Sequence, residues 1–548
     1  MVKKTLIKIL ILSTVIIAVI VGVNLFNEQR MKNLRVDTSK DRVVQTKFTN
    51  ISKEYKNARD TKVDLFYFKD SNLPFIDVEE YIWMLNGVYY SQYFEFNKNV
   101  TDEILDVTFE VEYDDGEVLS HSINFDFKKD LISLESLDFF DIYIVQTATN
   151  YSEGLKNLEP RITEGESVTY ELGKYDFDMV VNNKKFLVPL HVINLLFNQS
   201  AYFDVYYNSD RLYGIDTSDL GKTEIQKIIK SNNNKNDVPE DIRLATYNYL
   251  AFTLNYFYGL KSDKGIINGY DFISEYQNDF MNSDIGKAVF DVTTKLDDLH
   301  TSHLMRGYYN YNGGATTYDT ENQGSNIKAF YNGLANVQQQ AIKHFGLSIT
   351  GNIKIKDHEL IDNGKTAIIY LTGFEVKTPN DIKKIMKKFD DKVENVIIDL
   401  TLNTGGNLGA VLRMFAMMTD EEIWYHAQNP LDKAKVSYGV TGDVKAEFSN
   451  YNYYIKTSSV TFSAANLTAS IAKELGIPVI GQKSSGGASS IGFFVLPDGS
   501  IIIMSSNMIL SRLEEGIYYS IENGIEPDYL LKDLYDEKEI IDVILKNQ

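Results

Sequence analysis

The chain has 548 residues, more than one hydrophobic core organises, so roughly two to four domains are expected. An apolar fraction of 44% and a charged fraction of 24% are those of a globular protein. A formal net charge of −21 argues against nucleic acid as a partner, and the absence of cysteine excludes disulfides, thiolate metal sites and cysteine nucleophiles together.

Lys3, Lys4 and Lys8 precede an apolar run over residues 9–26, close to the shortest stretch able to cross a bilayer. No small-x-small cleavage site follows, so residues 1–29 are expected to be an uncleaved, single-pass signal-anchor in the cell membrane. Arg30, Lys32 and Arg35 partly balance the lysines before the run; the bulk of the chain is expected outside the cytoplasm. Residues 30–69 are polar and charged and read as a linker.

From residue 70 the chain is rich in aromatics, Asp and Asn, with alternating runs such as Val107–Tyr113 and Ser120–Phe127 that predict strands. The phrases LPFIDVEEYIWML at 73–85 and KFLVPLHVINLLF at 185–197 each join a proline-containing apolar patch to an amphipathic helix. They predict two α+β modules, 70–150 and 151–235. The Asn- and Lys-rich stretch 231–241 marks a boundary. Beyond it, residues 236–305 read as helical, with Leu244, Tyr247, Leu250 and Leu254 at helical spacing, and 306–326 as a polar loop. Within 345–548, strands and helices alternate: TAIIYLTGF, IKKIMKKF, VENVIIDLTL, LRMFAMM, a strand at 453–462, a helix at 465–475, then IPVIG. That order predicts an α/β fold with a mostly parallel sheet and flanking helices.

Four stretches could carry chemistry. Ser463 stands where strand turns into helix. Such a turn can hold its hydroxyl out of the sheet, and the next N–H, that of Ala464, would lie at a helix N-terminus able to bind an oxyanion. An ordinary serine N-cap fits the same pattern. The Asn403–Gly406 turn ends a buried strand, and Gly405 and Gly406 could expose N–H groups to a ligand or simply close a tight turn. It lacks the ending of a phosphate-binding loop. KLDDLHTSHL at 295–304 holds His300 and His303 beside Asp297 and Asp298, and fits a general base, a metal site or a solvated helix end. Glu522, before an Asn-Gly turn, could orient a histidine or be a surface acid.

Taken in order, these phrases resemble the tail-specific (carboxyl-terminal processing) protease family in its tricorn-core branch, over roughly residues 240–548. The matching phrases are Asp298-Leu299-His300-Thr301, Asp399 to Gly406, Ser463-Ala464-Ala465-Asn466, Gly481 to Gly487, and Glu522 to Asp528, the last one spacer residue short. The resemblance implies a ClpP/crotonase-like catalytic domain over 236–548 and a serine peptidase. In it Ser463 is nucleophile, His300 base and Glu522 the orienting acid, with Ala464, Gly405 and Gly406 as oxyanion donors. A peptide or protein would be the substrate, and neither metal nor organic cofactor is implied. The lysine of the family's Ser–Lys branch falls on Gly487, and Lys483 comes four residues early, so the Ser–His branch is expected. Three positions depart from the pattern: Leu299 replaces the serine before the histidine, Thr401 an arginine and Asn466 a glutamate. Residues 326–365 are too short for the peptide-binding PDZ module that the family often inserts. A non-enzymatic binding protein on the same fold is the alternative; a nucleotide-using enzyme and a metal site are more remote ones.

Overall fold

The computed structural model describes residues 41–547 apart from 69–70, 113–115, 117 and 312–322. The expected anchor at 1–29 lies outside the described residues, among which no helix is long and apolar enough to cross a membrane. Most of the polar loop expected at 306–326 also lies outside them.

The first half is organised by two sheets. One is seven-stranded, in the order Val180–Asn182, Lys185–Pro189, Phe75–Asp77, Thr61–Phe68, Asp41–Asn50, Leu212–Asp216, Phe203–Tyr207. Part of the expected linker is therefore strand. Asp41–Asn50 and Thr61–Phe68 pair antiparallel along eight residues, and Phe48 and Leu65 are fully buried. Their outer faces are charged, which is why the composition reads as linker. The two proline-containing phrases do not head separate modules. They are neighbours in this sheet, Val188 opposite Ile76. Asp77 joins them chemically: its carboxylate caps the helix Val78–Met84 through Glu80 N–H and accepts Phe186 N–H at 2.9 Å. The second sheet is five-stranded and antiparallel, from Phe94–Asn99 to Val168–Glu171.

The helical segment expected after 236 is present as Glu240–Tyr256, Gly269–Ile273, Gln277–Asn282 and Ile285–Lys295. Half of the interval 326–365 is one helix, Ser325–Phe345, and the strand His358–Ile361 lies near its end. In the α/β part a six-stranded sheet runs His358–Ile361, Thr366–Tyr370, Asn395–Asp399, Asn452–Thr457, Val479–Gly481, Tyr529–Leu530. Its first pair is antiparallel and the rest are parallel. Val396, Ile397 and Ile398 are fully buried, as strands covered on both faces require. Helices Thr378–Met386, Leu408–Met418 and Ala464–Glu474 make the crossovers.

An eight-stranded sheet, built around Ile501–Glu514, packs beside it and takes in Leu155–Asn157 and Arg161–Thr163. Those two strands pair with Lys435–Gly442, so the expected module boundary at 151–235 is crossed by main-chain hydrogen bonds.

Candidate active site

The strand expected to run to Phe462 ends at Thr457, and residues 458–463 form a stapled turn. Ser458 Oγ donates to Thr401 O at 2.6 Å and Thr461 Oγ1 to Leu400 O at 2.8 Å. Both staples reach the neighbouring strand's end, so the turn is held from the side. Ser463 follows at φ 57°, ψ −124°, a conformation rare for a residue with a β-carbon, and starts the helix Ala464–Glu474. Its hydroxyl makes no capping hydrogen bond. By position it is an N-cap; by chemistry it is not.

The Asn403–Gly406 turn packs directly on this serine. A β-carbon on Gly405, where φ is +110°, would stand 2.7 Å from Ser463 Cβ and 3.0 Å from Ala464 N. A β-carbon on Gly406, at φ +130°, would stand 2.2 Å from Phe374 O. Both glycines are required by close approach as well as by backbone angle. Of the expected oxyanion donors, Gly405 N–H is already given to Asn403 Oδ1 at 2.9 Å. The N–H groups of Ala464 and Gly406 donate to no group among the described residues.

Residues 486–488 bridge serine and acid. Ser463 N–H donates to Gly486 O at 2.8 Å, and Ala488 N–H donates to Glu522 Oε2 at 2.7 Å. Burial raises the Glu522 carboxyl to about 7; the Ala488 N–H opposes that rise, Asp298 adds to it, Lys264 opposes it and Asp263 adds to it. Asn466 and Ser484 hold the turn that carries Glu522: Asn466 Nδ2 donates to Ile521 O at 3.0 Å, Ser484 Oγ to Asn466 Oδ1 at 2.6 Å, and Ile525 N–H to Ser484 Oγ at 2.6 Å.

His300 lies over Phe462, ring centroids 4.5 Å apart, one residue before the serine. Its N–H is held by Asp298 Oδ1 at 3.0 Å. Both imidazole nitrogens are buried and have no hydrogen-bond partner among the described residues. Burial pushes its pKa down against the opposing pull of Asp298, so the ring is neutral and able to accept a proton. A buried polar atom without a partner calls for an explanation, and a catalytic role is one. His303 sits apart, in the strand Ser302–Met305 opposite Ile502, its pKa lowered by burial to about 4. Lys483 pairs with Glu526 at 2.9 Å on the surface.

The remaining departures have structural answers. Thr401 Oγ1 donates to Asp399 Oδ1 at 2.6 Å, and a cation reaches the other carboxylate oxygen from the next strand: Lys456 Nζ lies 2.6 Å from Asp399 Oδ2, both side chains buried. No group of three metal-ligating side chains occurs among the described residues.

His300 packs on Phe462, the residue before the uncapped Ser463, and residues 486–488 tie Ser463 to Glu522 at the end of a parallel sheet. Residues 365–531 match the family model of peptidase family S41. The match takes in Gly405, Gly406, Ser463 and Glu522 and begins beyond His300.

Three solved structures show more distant likeness. A candidate peptidase from Parabacteroides merdae aligns at 16% identity over 56% of this chain and 96% of its own, with a TM-score of 0.42. The photosystem II D1 C-terminal processing protease aligns at 18% identity over 32% and 45%, with a TM-score of 0.28. The tricorn protease aligns at 10% identity over 83% and 59%, with a TM-score of 0.37. These likenesses are too distant to carry a functional inference.

Proposed function

We propose that the chain is a membrane-anchored, extracytoplasmic serine endopeptidase of the Ser–His type, acting on peptide or protein substrates with a crotonase-like catalytic domain. The observation that carries this is Ser463 itself. It holds a strained backbone, its hydroxyl is not spent on a cap, and it stands beside Phe462, on which His300 is packed. A strained conformation persists only where its surroundings over-determine it, and here the staples from Ser458 and Thr461 do so.

In the reaction, Ser463 Oγ attacks the scissile carbonyl carbon while His300 takes the hydroxyl proton. The tetrahedral oxyanion accepts hydrogen bonds from Ala464 N–H and Gly406 N–H, each typically worth about 3–4 kcal/mol of barrier. Gly405 contributes by bringing its backbone against the serine rather than by donating. His300 then gives its proton to the leaving amine, and water repeats the sequence on the acyl-enzyme. Ionised Glu522 stabilises the imidazolium formed on the way. Pairing of Lys483 with Glu526 speaks for histidine rather than lysine as the base.

The test is turnover of unfolded casein by wild type beside Ser463→Ala and His300→Ala, with folding checked by circular dichroism. Cleavage by wild type and its loss in both folded variants is expected. Equal cleavage by Ser463→Ala would overturn the assignment. Cleavage by none, with casein bound, would favour the non-enzymatic binding protein.

A further inference from the structure

With Leu299 ahead of His300, no hydroxyl from that position can connect Glu522 to the histidine turn. A hydroxyl comes instead from a residue outside every motif. Tyr258 follows the helix Glu240–Tyr256 and is 2% exposed. Its N–H donates to Thr253 O at 3.1 Å, and the N–H of Gly259 donates to Ser505 O at 3.1 Å. Gly259 fits so closely that a β-carbon there would stand 2.0 Å from Ser506 O. On the other side Lys264 Nζ donates to Asp297 O at 2.6 Å. Residues 258–264 are thus clamped between the strand Ile501–Glu514, which leads towards Glu522, and the turn that carries Asp298 and His300.

Tyr258 Oη is buried and aligned with no hydrogen-bond partner among the described residues. The charged groups facing it are Asp298, then Glu522, then Asp263, and Asp298 is near enough to interact without being aligned for a full hydrogen bond. Burial above all, then those carboxylates, hold the phenol far on the protonated side, so it keeps a proton to donate to a carboxylate. Asp298 in turn is 3% exposed and holds His300 N–H at 3.0 Å and Thr301 Oγ1 at 2.6 Å. Phenylalanine would make the same ring contacts without burying an unmatched polar group.

Resting on the serine peptidase reading, we propose that Tyr258 is a positioning residue: its hydroxyl donates to the carboxyls of Asp298 and Glu522 and so couples the acid to the His300 turn. The groups that face Glu522 are Ala488 N–H, Asp298, Lys264, Asp263 and Tyr258.

The experiment compares full-length wild type and Tyr258→Phe in three ways: phosphonate labelling of Ser463, kcat and KM on a casein peptide across pH 5–9, and thermal unfolding. Removing a donor beside Glu522 makes that carboxyl harder to ionise. The acid limb of the kcat profile should move up by about one pH unit, tenfold in proton activity, and kcat at pH 7 should fall about tenfold with KM unchanged. Were the variant less stable, loss of folded enzyme would scale the profile without moving its limb, so the displacement remains readable. In a Glu522→Gln background the same substitution should change the labelling rate less than twofold, because its route is already cut. An unmoved limb, or effects that multiply independently, overturns the proposal. If wild-type Ser463 labels normally and only these differences are missing, the positioning role alone falls. If wild type neither labels nor cleaves, the peptidase reading fails and this inference falls with it.

Discussion

Gly405 and Ser463 share one space: the missing β-carbon of the first would stand 2.7 Å from the β-carbon of the second. The Asn403–Gly406 turn and the turn that carries Ser463 are therefore one packed unit. Gly405→Ala forces the two apart and adds backbone strain at φ +110°. A fall in kcat of about 100-fold or more is expected, with KM changed little, since the donors bind the transition state more than the substrate. Steady-state kinetics on a casein peptide would check it, and an unchanged kcat would show that the loop does not serve the oxyanion.

Ser463 separates activity from stability. Ser463→Ala keeps the strained φ of 57°, whereas Ser463→Gly relieves it. Both should lose cleavage by on the order of 10⁴-fold or more. Only the glycine variant should gain stability, by about 1 kcal/mol. Urea midpoints of the three proteins decide this, and a glycine variant no more stable than the alanine one would remove the strain argument.

Glu522 gives opposite pH dependences to activity and stability. Its folded carboxyl titrates near 7 against 4.5 unperturbed, mainly because it is buried. Activity needs the anion, so cleavage should rise through about pH 7, and Glu522→Gln should abolish that limb along with most of kcat. For stability the raised pKa means that the folded chain holds a proton which the unfolded chain has released. The stability this group contributes is fully present below pH 4.5 and is lost as pH rises through about 7. Glu522→Gln should therefore be relatively more stable at pH 8 than at pH 5, read by urea unfolding at both. A wild-type activity limb left in place by Glu522→Gln would reassign the titration.

The pair Lys456 and Asp399, 2.6 Å apart and buried, is a structural prediction outside the chemistry. Lys456→Met leaves Asp399 uncompensated beneath the site and should cost about 3–5 kcal/mol. Adding Asp399→Asn should recover most of that loss, because both charges are then gone. Failure of the double variant to recover would mean that Lys456 serves through its bond to Leu534 O instead.

The parallel sheet was legible because its strands are continuous apolar runs such as Val396–Ile398 separated by amphipathic helices, a pattern with few alternatives. The positions of Ser463, His300 and Glu522 came from short phrases, and the structure brings Phe462, beside Ser463, against His300. Other features had no local signal. Tyr258 earns its place through Gly259 packing on Ser506, a contact between residues far apart in the chain. Asn466 read as a departure, yet its amide is what fastens the Glu522 turn through Ile521 and Ser484. Asp41–Asn50 read as linker because only Thr46 and Phe48 of its ten residues are buried. The two proline phrases looked like a repeat when they are sheet neighbours, since sequence shows likeness but not pairing.

The central claim is that Ser463 is a nucleophile activated by His300. The most direct measurement is mass spectrometry of the full chain after exposure to a serine-directed fluorophosphonate, beside Ser463→Ala and His300→Ala. The account predicts a single adduct, on Ser463, absent from the alanine variant and slowed about 1,000-fold or more without His300. An adduct on another serine, or labelling of Ser463 that is indifferent to His300, would contradict it.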